Sequence, residues 1–364
     1  IEVDTDRYEA VFTTHGGRLK GFYLKDYRET SARNSPLYNM VKPGKNGVLP
    51  LGLVVTRGGE AMSDGQLNYA TTAPAKIKVT PGHPVTIILT AHAKNGLNLS
   101  KVYTFRDSKY VFNMKGAISG DTAGVSQIGF AMSQSLNKLP GYYDVPELQA
   151  DVHGKVFTQE EKNLKKGVPG ATGKITYAGF GDRYFLSVFL PISPQEGTLA
   201  MAFSNGEAHA HLVFTGAATI KSAVYMGPKQ IHILESVNPA LSKAIDFGWM
   251  GIIALPFLRA LQIFHYVAPN YGVAIILLTI VVRLLTLPMS IKGQRSMMRM
   301  QHLQPQIERI RQKFKDDSER LNREMVDLYK RNHVNPIGGC LPMLIQLPIL
   351  WGLYEALLNA VELR

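Results

Sequence analysis

Cysteine is almost missing from this chain. Cys340 is the only one in 364 residues, so an internal disulfide framework and a cysteine-rich metal site are both excluded. The GxSxG and HExxH signatures and any phosphate-cradling glycine loop are absent too, and no nucleic-acid-binding motif is present. The histidines His15, His83, His92, His153, His209, His211 and His232 are scattered, with few carboxylates nearby. Within the AHAH segment, His209 and His211 stand at i and i+2, which turns both rings to one face of a strand. That is either a metal pair or ordinary sheet-surface histidine. No cofactor is called for. A starting methionine and a signal-peptide pattern are also absent, and the chain stops at Arg364 directly after an apolar run, so it reads as a fragment.

What is present is one long apolar run. Tyr271 to Met289, YGVAIILLTIVVRLLTLPM, is about 19 residues, enough helix to match a ~30 Å hydrocarbon core. Its only charge is Arg283. A guanidinium at that depth costs a few kcal/mol on insertion scales, so it should face water, a carboxylate or a polar cavity. The alternative is a snorkelling side chain that reaches the interface. Thr279 lies four residues earlier on the same helical face, although its hydroxyl can equally bond back to its own helix. The net charge of +12 suits nucleic acid or anionic lipid. Because the basic residues gather just after the run, the lipid-facing reading is favoured and that flank is assigned to the cytoplasm.

The rest of the chain falls around this run. Residues 1–237 are rich in alternating or β-branched stretches such as VTIILTAHA, KVYTFR, YVFNMKGAI and YFLSVFLPI, separated by Gly-containing turns, and predict a β-sandwich. A short helical turn is expected within Thr158 to Lys166. Residues 238–268 turn apolar, but Arg259, Gln262 and His265 mark one side, as in a helix lying in the membrane interface; a spanning helix is the rival. The span is placed at 269–290. Residues 291–335 are charged, with Met300, Leu303, Ile307, Ile310 and Phe314 and then Leu321, Met325 and Leu328 at helical spacing, predicting a helical hairpin. Residues 336–364 predict a second span, interrupted by Pro342 and Pro348. Gln346 is deep enough in it to line a polar cavity with Arg283, whereas Glu355 belongs near the outer interface.

The run IVVRLLTLP, the segments LQPQIERIRQKF and EMVDLYK, and NPIGGCLPMLIQLPILWGLYEAL ending in VELR together resemble the YidC membrane-protein insertases of Gram-negative bacteria. The VYMGP strand and the DFGW segment resemble that family as well, so the likeness covers nearly the whole chain. It implies a membrane protein of β + α class: a periplasmic β-supersandwich, an interfacial helix, two transmembrane helices and a cytoplasmic helical hairpin, part of a larger helical membrane core in the bacterial inner membrane. It also implies an anchor helix before the β domain and three membrane helices after the VELR segment, none of them in this sequence. The activity implied is insertion and folding of membrane proteins rather than covalent catalysis, through a hydrophilic groove whose single arginine matches Arg283 and whose substrate-contacting position matches Thr279. Implied partners are nascent membrane proteins, membrane lipids, the ribosome and the Sec translocon, including SecD–SecF.

Two other classes compete with that reading. A transporter or channel subunit would show paired intramembrane charges or several broken helices. A periplasmic binding sensor, anchored by its helices, would need an exposed cleft in the sandwich.

Overall fold

The computed structural model describes residues 1–30, 32, 34–106, 109–136, 146–167, 170–204, 206–315, 317–332 and 341–364. It divides into two compact units, residues 1–245 with Arg364, and residues 246–363. Cys340, Asn335 and Pro336 lie outside the described residues, as does the side chain of Pro342.

The first unit is built of strands. In chain order they are β1 (Glu2–Asp4), β2 (Tyr8–Thr13), β3 (Arg18–Arg28), β4 (Leu37–Asn39), β5 (Gly52–Arg57), β6 (Glu60–Ser63), β7 (Lys76–Lys78), β8 (Val85–His92) and β9 (Leu97–Phe105). There follow β10 (Val111–Gly120), β11 (Val125–Ser135), β12 (Glu147–Val152), β13 (Lys155–Gln159), β14 (Ala171–Gly181), β15 (Phe185–Ser193), β16 (Glu196–Ser204), β17 (Glu207–Thr215) and β18 (Thr219–Pro228). A smaller sheet runs β4-β3-β2-β1-β7, and a larger one runs β6-β5-β11-β17-β16-β14-β15-β18-β10-β9-β8. The larger sheet turns at β14, whose first half pairs with β16 while its second half pairs with β15 and β12. A short helix, α1 (Glu161–Leu164), falls inside the turn expected between Thr158 and Lys166.

Alternation makes the sandwich, because every second side chain of a strand meets the opposite sheet. In β9, Leu97, Leu99, Tyr103 and Phe105 are buried while their neighbours are half-exposed. Phe12 of β2 packs on Tyr103 at 4.6 Å and on Phe105 at 5.8 Å, and Phe22 of β3 meets Phe112 of β10 at 6.1 Å between ring centroids. These rings join the smaller sheet to the larger one.

At the inward position between Leu99 and Tyr103 stands Lys101, fully buried. Its Nζ pairs with Asp64 Oδ2 at 2.5 Å and donates to the carbonyls of Gly16 and Leu51 at 2.7 and 2.9 Å. Asp64 also receives Arg18 Nη2 at 3.1 Å and the Tyr69 hydroxyl at 2.9 Å. A buried charge survives only when paired and hydrogen-bonded in this way. Burial, outweighing the attraction of Asp64, holds the Lys101 ammonium down to about 8. The turn that aims its carbonyls at Lys101 contains Gly17 at φ +53°, where a side chain would be strained and would press on the Tyr69 ring.

The unit closes later than the sequence suggests. Beyond β18 come α2 (Ile231–Val237) and a 3-10 turn, Pro239–Ala244, started by the Asn238 side chain accepting the Ala240 N–H. The buried Lys229 donates to Gln149 Oε1 at 3.1 Å and to the Ala244 carbonyl at 2.9 Å, and Lys243 Nζ reaches Asp151 at 3.4 Å and the Gly154 carbonyl at 3.1 Å. These bonds hold the 3-10 turn to the sandwich, so residues 238–245 belong to it. The expected interfacial segment 238–268 is therefore not one element.

In the second unit, α3 (Gly251–Val267) is followed by α4 (Tyr271–Lys313), α5 (Ser318–Arg331) and α6 (Leu341–Leu358). Asn270 caps α4 by accepting the N–H groups of Gly272 and Val273 at 2.8 and 3.3 Å. The helix then runs 43 residues without interruption, so the expected boundary at 290/291 is not a break, and Gly293 lies buried inside the helix. Pro288 removes one intrahelical donor, and the turns on either side carry the helix through. α5, capped by Asp317 accepting the Arg320 N–H at 3.0 Å, folds back on α4: Leu303 and Ile307 are buried against Met325, Leu328, Tyr329 and Met300. The methionines divide accordingly, with Met300 packed and Met297 and Met298 exposed. α3 buries Ala254, Leu258 and Leu261 along one stripe and packs closely on α6, where a Cβ on Gly352 would strike Ile253.

Candidate functional site

Two segments of the second unit are long and apolar enough to cross a bilayer, Gly248–Val267 and α4; the described part of the second expected span is a shorter apolar helix, Met343–Leu358. Along the apolar stretch of α4 only 11% of the residues are buried. Ile276, Ile280, Leu284, Leu285 and Leu287 all face outward. In water such a surface would be untenable, and in lipid it is the ordinary exterior of a spanning helix. α3 likewise shows Ile252, Ile263, Tyr266 and Val267 outward. Its length thus fits a spanning helix as well as an interfacial one, and its polar side is engaged. Gln262 donates to Glu362 Oε1 at 3.0 Å, and the His265 ring stacks on Tyr271 at 3.7 Å.

Arg283 is exposed on α4, three residues from Ile280 and one from Leu284. It has no ion pair and no side-chain hydrogen bond among the described residues. Thr279, one turn before it, is exposed and donates to the Ile275 carbonyl at 2.8 Å, the back-bonding geometry open to a threonine in a helix. Gln346 is half-buried on α6. Among the described residues no hydrogen bond joins Arg283, Thr279 and Gln346.

Two residues on the same face as Arg283 were not singled out from the sequence. Thr286, buried, donates to the carbonyls of Val282 and Arg283 at 3.0 and 3.2 Å, and Ser290 donates to the Thr286 carbonyl at 3.1 Å. With Thr279 and Arg283 they stand at i, i+4, i+7 and i+11, a polar line down one side of the otherwise apolar first half of α4. The signal was that spacing, read forward from Arg283 as well as backward. Each hydroxyl is already satisfied by its own backbone, so it adds polarity without the cost of an unpaired donor. Among the described residues, the charge in the line is the group still lacking a partner.

Among its described residues the sandwich holds no comparable centre. Among the described residues no group of three or more histidine, cysteine, aspartate or glutamate side chains is placed to hold a metal ion. His209 is occupied by Ser133 at 3.0 Å and Ser204 at 3.2 Å, and its ring centroid lies 6.4 Å from that of His211. Burial, then His209 and Arg18, pull His211 down to about 4, so it is neutral at ordinary pH. In the hairpin, Arg323 and Glu319 meet at 3.3 Å with both side chains in solvent, a surface pair of little weight.

Comparison with known proteins also splits the chain in two, with the boundary inside α3 rather than at 245/246. Residues 1–260 match the family model described as YidC periplasmic domain, and residues 262–364 match that described as 60Kd inner membrane protein. Among curated relatives, the membrane protein insertase YidC of Syntrophus aciditrophicus (strain SB) is 34% identical, covering all of this chain and 69% of its own length. That of Nitratidesulfovibrio vulgaris (strain DSM 19637 / Miyazaki F) is 34% identical over all of this chain and 68% of its own. A crystal structure of an active YidC insertase with its first transmembrane domain resolved aligns with 99% of this chain and 71% of its own, at 18% identity and a TM-score of 0.37.

Proposed function

We propose, from the premise that this chain belongs to the YidC family of membrane protein insertases, that it carries out insertion through the polar line of α4, with Arg283 as the group that receives the hydrophilic part of an incoming membrane protein. The observation that carries the proposal is a guanidinium without a partner among the described residues, on a helix whose surroundings are apolar and outward-facing.

The physics is that of a lowered barrier. A polar or acidic segment entering hydrocarbon loses its hydration, at a cost of several kcal/mol per charge. A fixed cation beside Thr279 and Thr286 replaces part of that solvation when water reaches the same depth, and the segment then need cross only the remainder of the bilayer. The apolar part of the substrate moves sideways into lipid, where burial returns about 25 cal/mol per Å². That release needs neither nucleotide nor covalent step, in keeping with a chain read as an insertase and not as an enzyme. Gln346, half-buried on α6, is proposed as a second polar lining group.

The same reading assigns the protein to the bacterial inner membrane as a multi-pass protein. The β unit lies in the periplasm, the hairpin of α4 and α5 in the cytoplasm, and the Sec translocon, including SecD–SecF, is a further partner. The domain limits that go with it are a sandwich through Ile245, a spanning α4 that continues into the hairpin, and a second span containing α6. The test is insertion of a single-span substrate with an acidic periplasmic tail, in cells depleted of their own insertase. Arg283→Ala and Arg283→Glu should abolish it and Arg283→Lys retain much of it; full activity in Arg283→Ala would sink the proposal.

A further inference from the structure

The hairpin is more sharply divided in charge than its composition suggests. From Ser290 to Leu303 there are three cations, Lys292, Arg295 and Arg299, and no acidic residue. All three are exposed. Spaced i, i+3 and i+7, they form one stripe on α4, beginning three residues after Met289, where the apolar run ends. The antiparallel packing of Met325, Leu328 and Tyr329 against Leu303 and Ile307 brings the C-terminal end of α5 back toward the level of Arg299, the outer end of the stripe, and with it Lys330 and Arg331, also exposed. The hairpin's ion pairs among the described residues, Asp317–Arg320 and Glu319–Arg323, lie at the other end. None of the five cations at the base has an ion-pair partner among the described residues.

We propose that this base is a binding collar for anionic phospholipid headgroups, with Lys292, Arg295 and Arg299 as the phosphate-contacting stripe and Lys330 and Arg331 closing it from α5. The inference rests on α4 crossing the membrane. One continuous helix rises 1.5 Å per residue, so the stripe begins with Lys292 about 4–5 Å beyond the apolar run, at the depth where phosphates lie, and ends with Arg299 about 15 Å beyond it, whose long side chain leans back toward the helix N-terminus and so toward the headgroups. Guanidinium forks suit phosphate oxygens, and each cation near an anionic surface contributes on the order of fivefold in partition. The exposed Ile291, Met297 and Met298 flank the stripe and offer contact to glycerol and upper acyl carbons. An acidic stretch of nascent chain would be drawn by the same charges. The lipid is favoured because the stripe starts at the end of the apolar run and is edged with apolar side chains.

The test uses the full chain, purified in neutral detergent and titrated with phosphatidylglycerol or phosphatidylcholine, with bound lipid counted by native mass spectrometry. Wild type should retain phosphatidylglycerol at least about tenfold better than phosphatidylcholine, by the same per-cation figure. The variant Lys292→Gln/Arg295→Gln/Arg299→Gln should lose that preference, and Arg309→Gln/Arg311→Gln/Lys313→Gln, equal in charge change but further along the hairpin, should keep it. Inorganic phosphate at matched ionic strength should not displace the lipid. Equal loss in both variants would mean diffuse attraction and would overturn the collar. Displacement by phosphate would make it a free-phosphate site, and binding of a soluble acidic peptide with no lipid preference would make it a substrate site; either result overturns the proposal. Insertion activity is not part of this readout, so failure of the Arg283 proposal leaves the lipid result interpretable.

Discussion

At the scale of single residues, the β unit is governed by a few buried polar groups. Replacing Lys101 by methionine leaves Asp64 buried with one cation fewer, which should lower the opening free energy of β9 by about 3–5 kcal/mol. Native-state hydrogen exchange of the β9 amides reads this directly. Unchanged protection would mean that Arg18 alone satisfies Asp64. Lys101 was legible in principle, because it shares strand parity with Leu97, Leu99, Tyr103 and Phe105, but a lysine in an inward register is normally discounted as surface. Its partners come from loops far away in sequence, and nothing local announces them. His211 gives the pH dependence. Burial lowers it from 6.5 to about 4, so the unfolded chain takes up a proton as pH falls through 6.5 while the folded chain does not until about 4. Its contribution to stability is therefore present above 6.5 and lost progressively between 6.5 and 4. Protection of the β17 amides should fall over that window in the wild type and fall less in His211→Gln. An equal fall in both would assign the effect to other groups.

At the scale of elements, strand alternation and the apolar run were readable because each is a property of consecutive residues. The strands expected from VTIILTAHA, KVYTFR and YFLSVFLPI appear as β8, β9 and β15. Element limits were less readable. The 3-10 turn after Asn238 is tied to the sandwich by Lys229 and Lys243, contacts that sequence composition does not encode, and the apolar shift at 238 therefore mislocated the boundary. The limit at 290/291 follows the onset of charged residues, a change of composition that marks where lipid gives way to water and not where a helix ends; α4 runs on through Pro288 and Gly293. The contact of α3 with α6 depends on the missing side chain at Gly352. Gly352→Leu should force Ile253 away and cost about 1–3 kcal/mol, visible as a lower thermal midpoint of the detergent-solubilised chain. An unaltered midpoint would show that the helices part without loss.

At the scale of the whole molecule, family membership was legible from motifs spread across both units, and the relatives support insertion as the activity. Arg283 stands out as a candidate in the sequence because one charge in an apolar run is conspicuous; Thr286 shares its face by spacing alone, and Ser290 joins the line because the helix continues past Met289. The account stands or falls on whether water reaches Arg283. The direct measurement is reactivity of Arg283→Cys in a Cys340→Ser background, in the full-length protein in its membrane, toward a membrane-impermeant thiol reagent added from the cytoplasmic side. Labelling at a rate within about tenfold of a cysteine placed in the hairpin is the result expected of a wet groove, since thiolate access sets the rate. No labelling, with hairpin controls reacting, would contradict it and leave the guanidinium sealed or snorkelling.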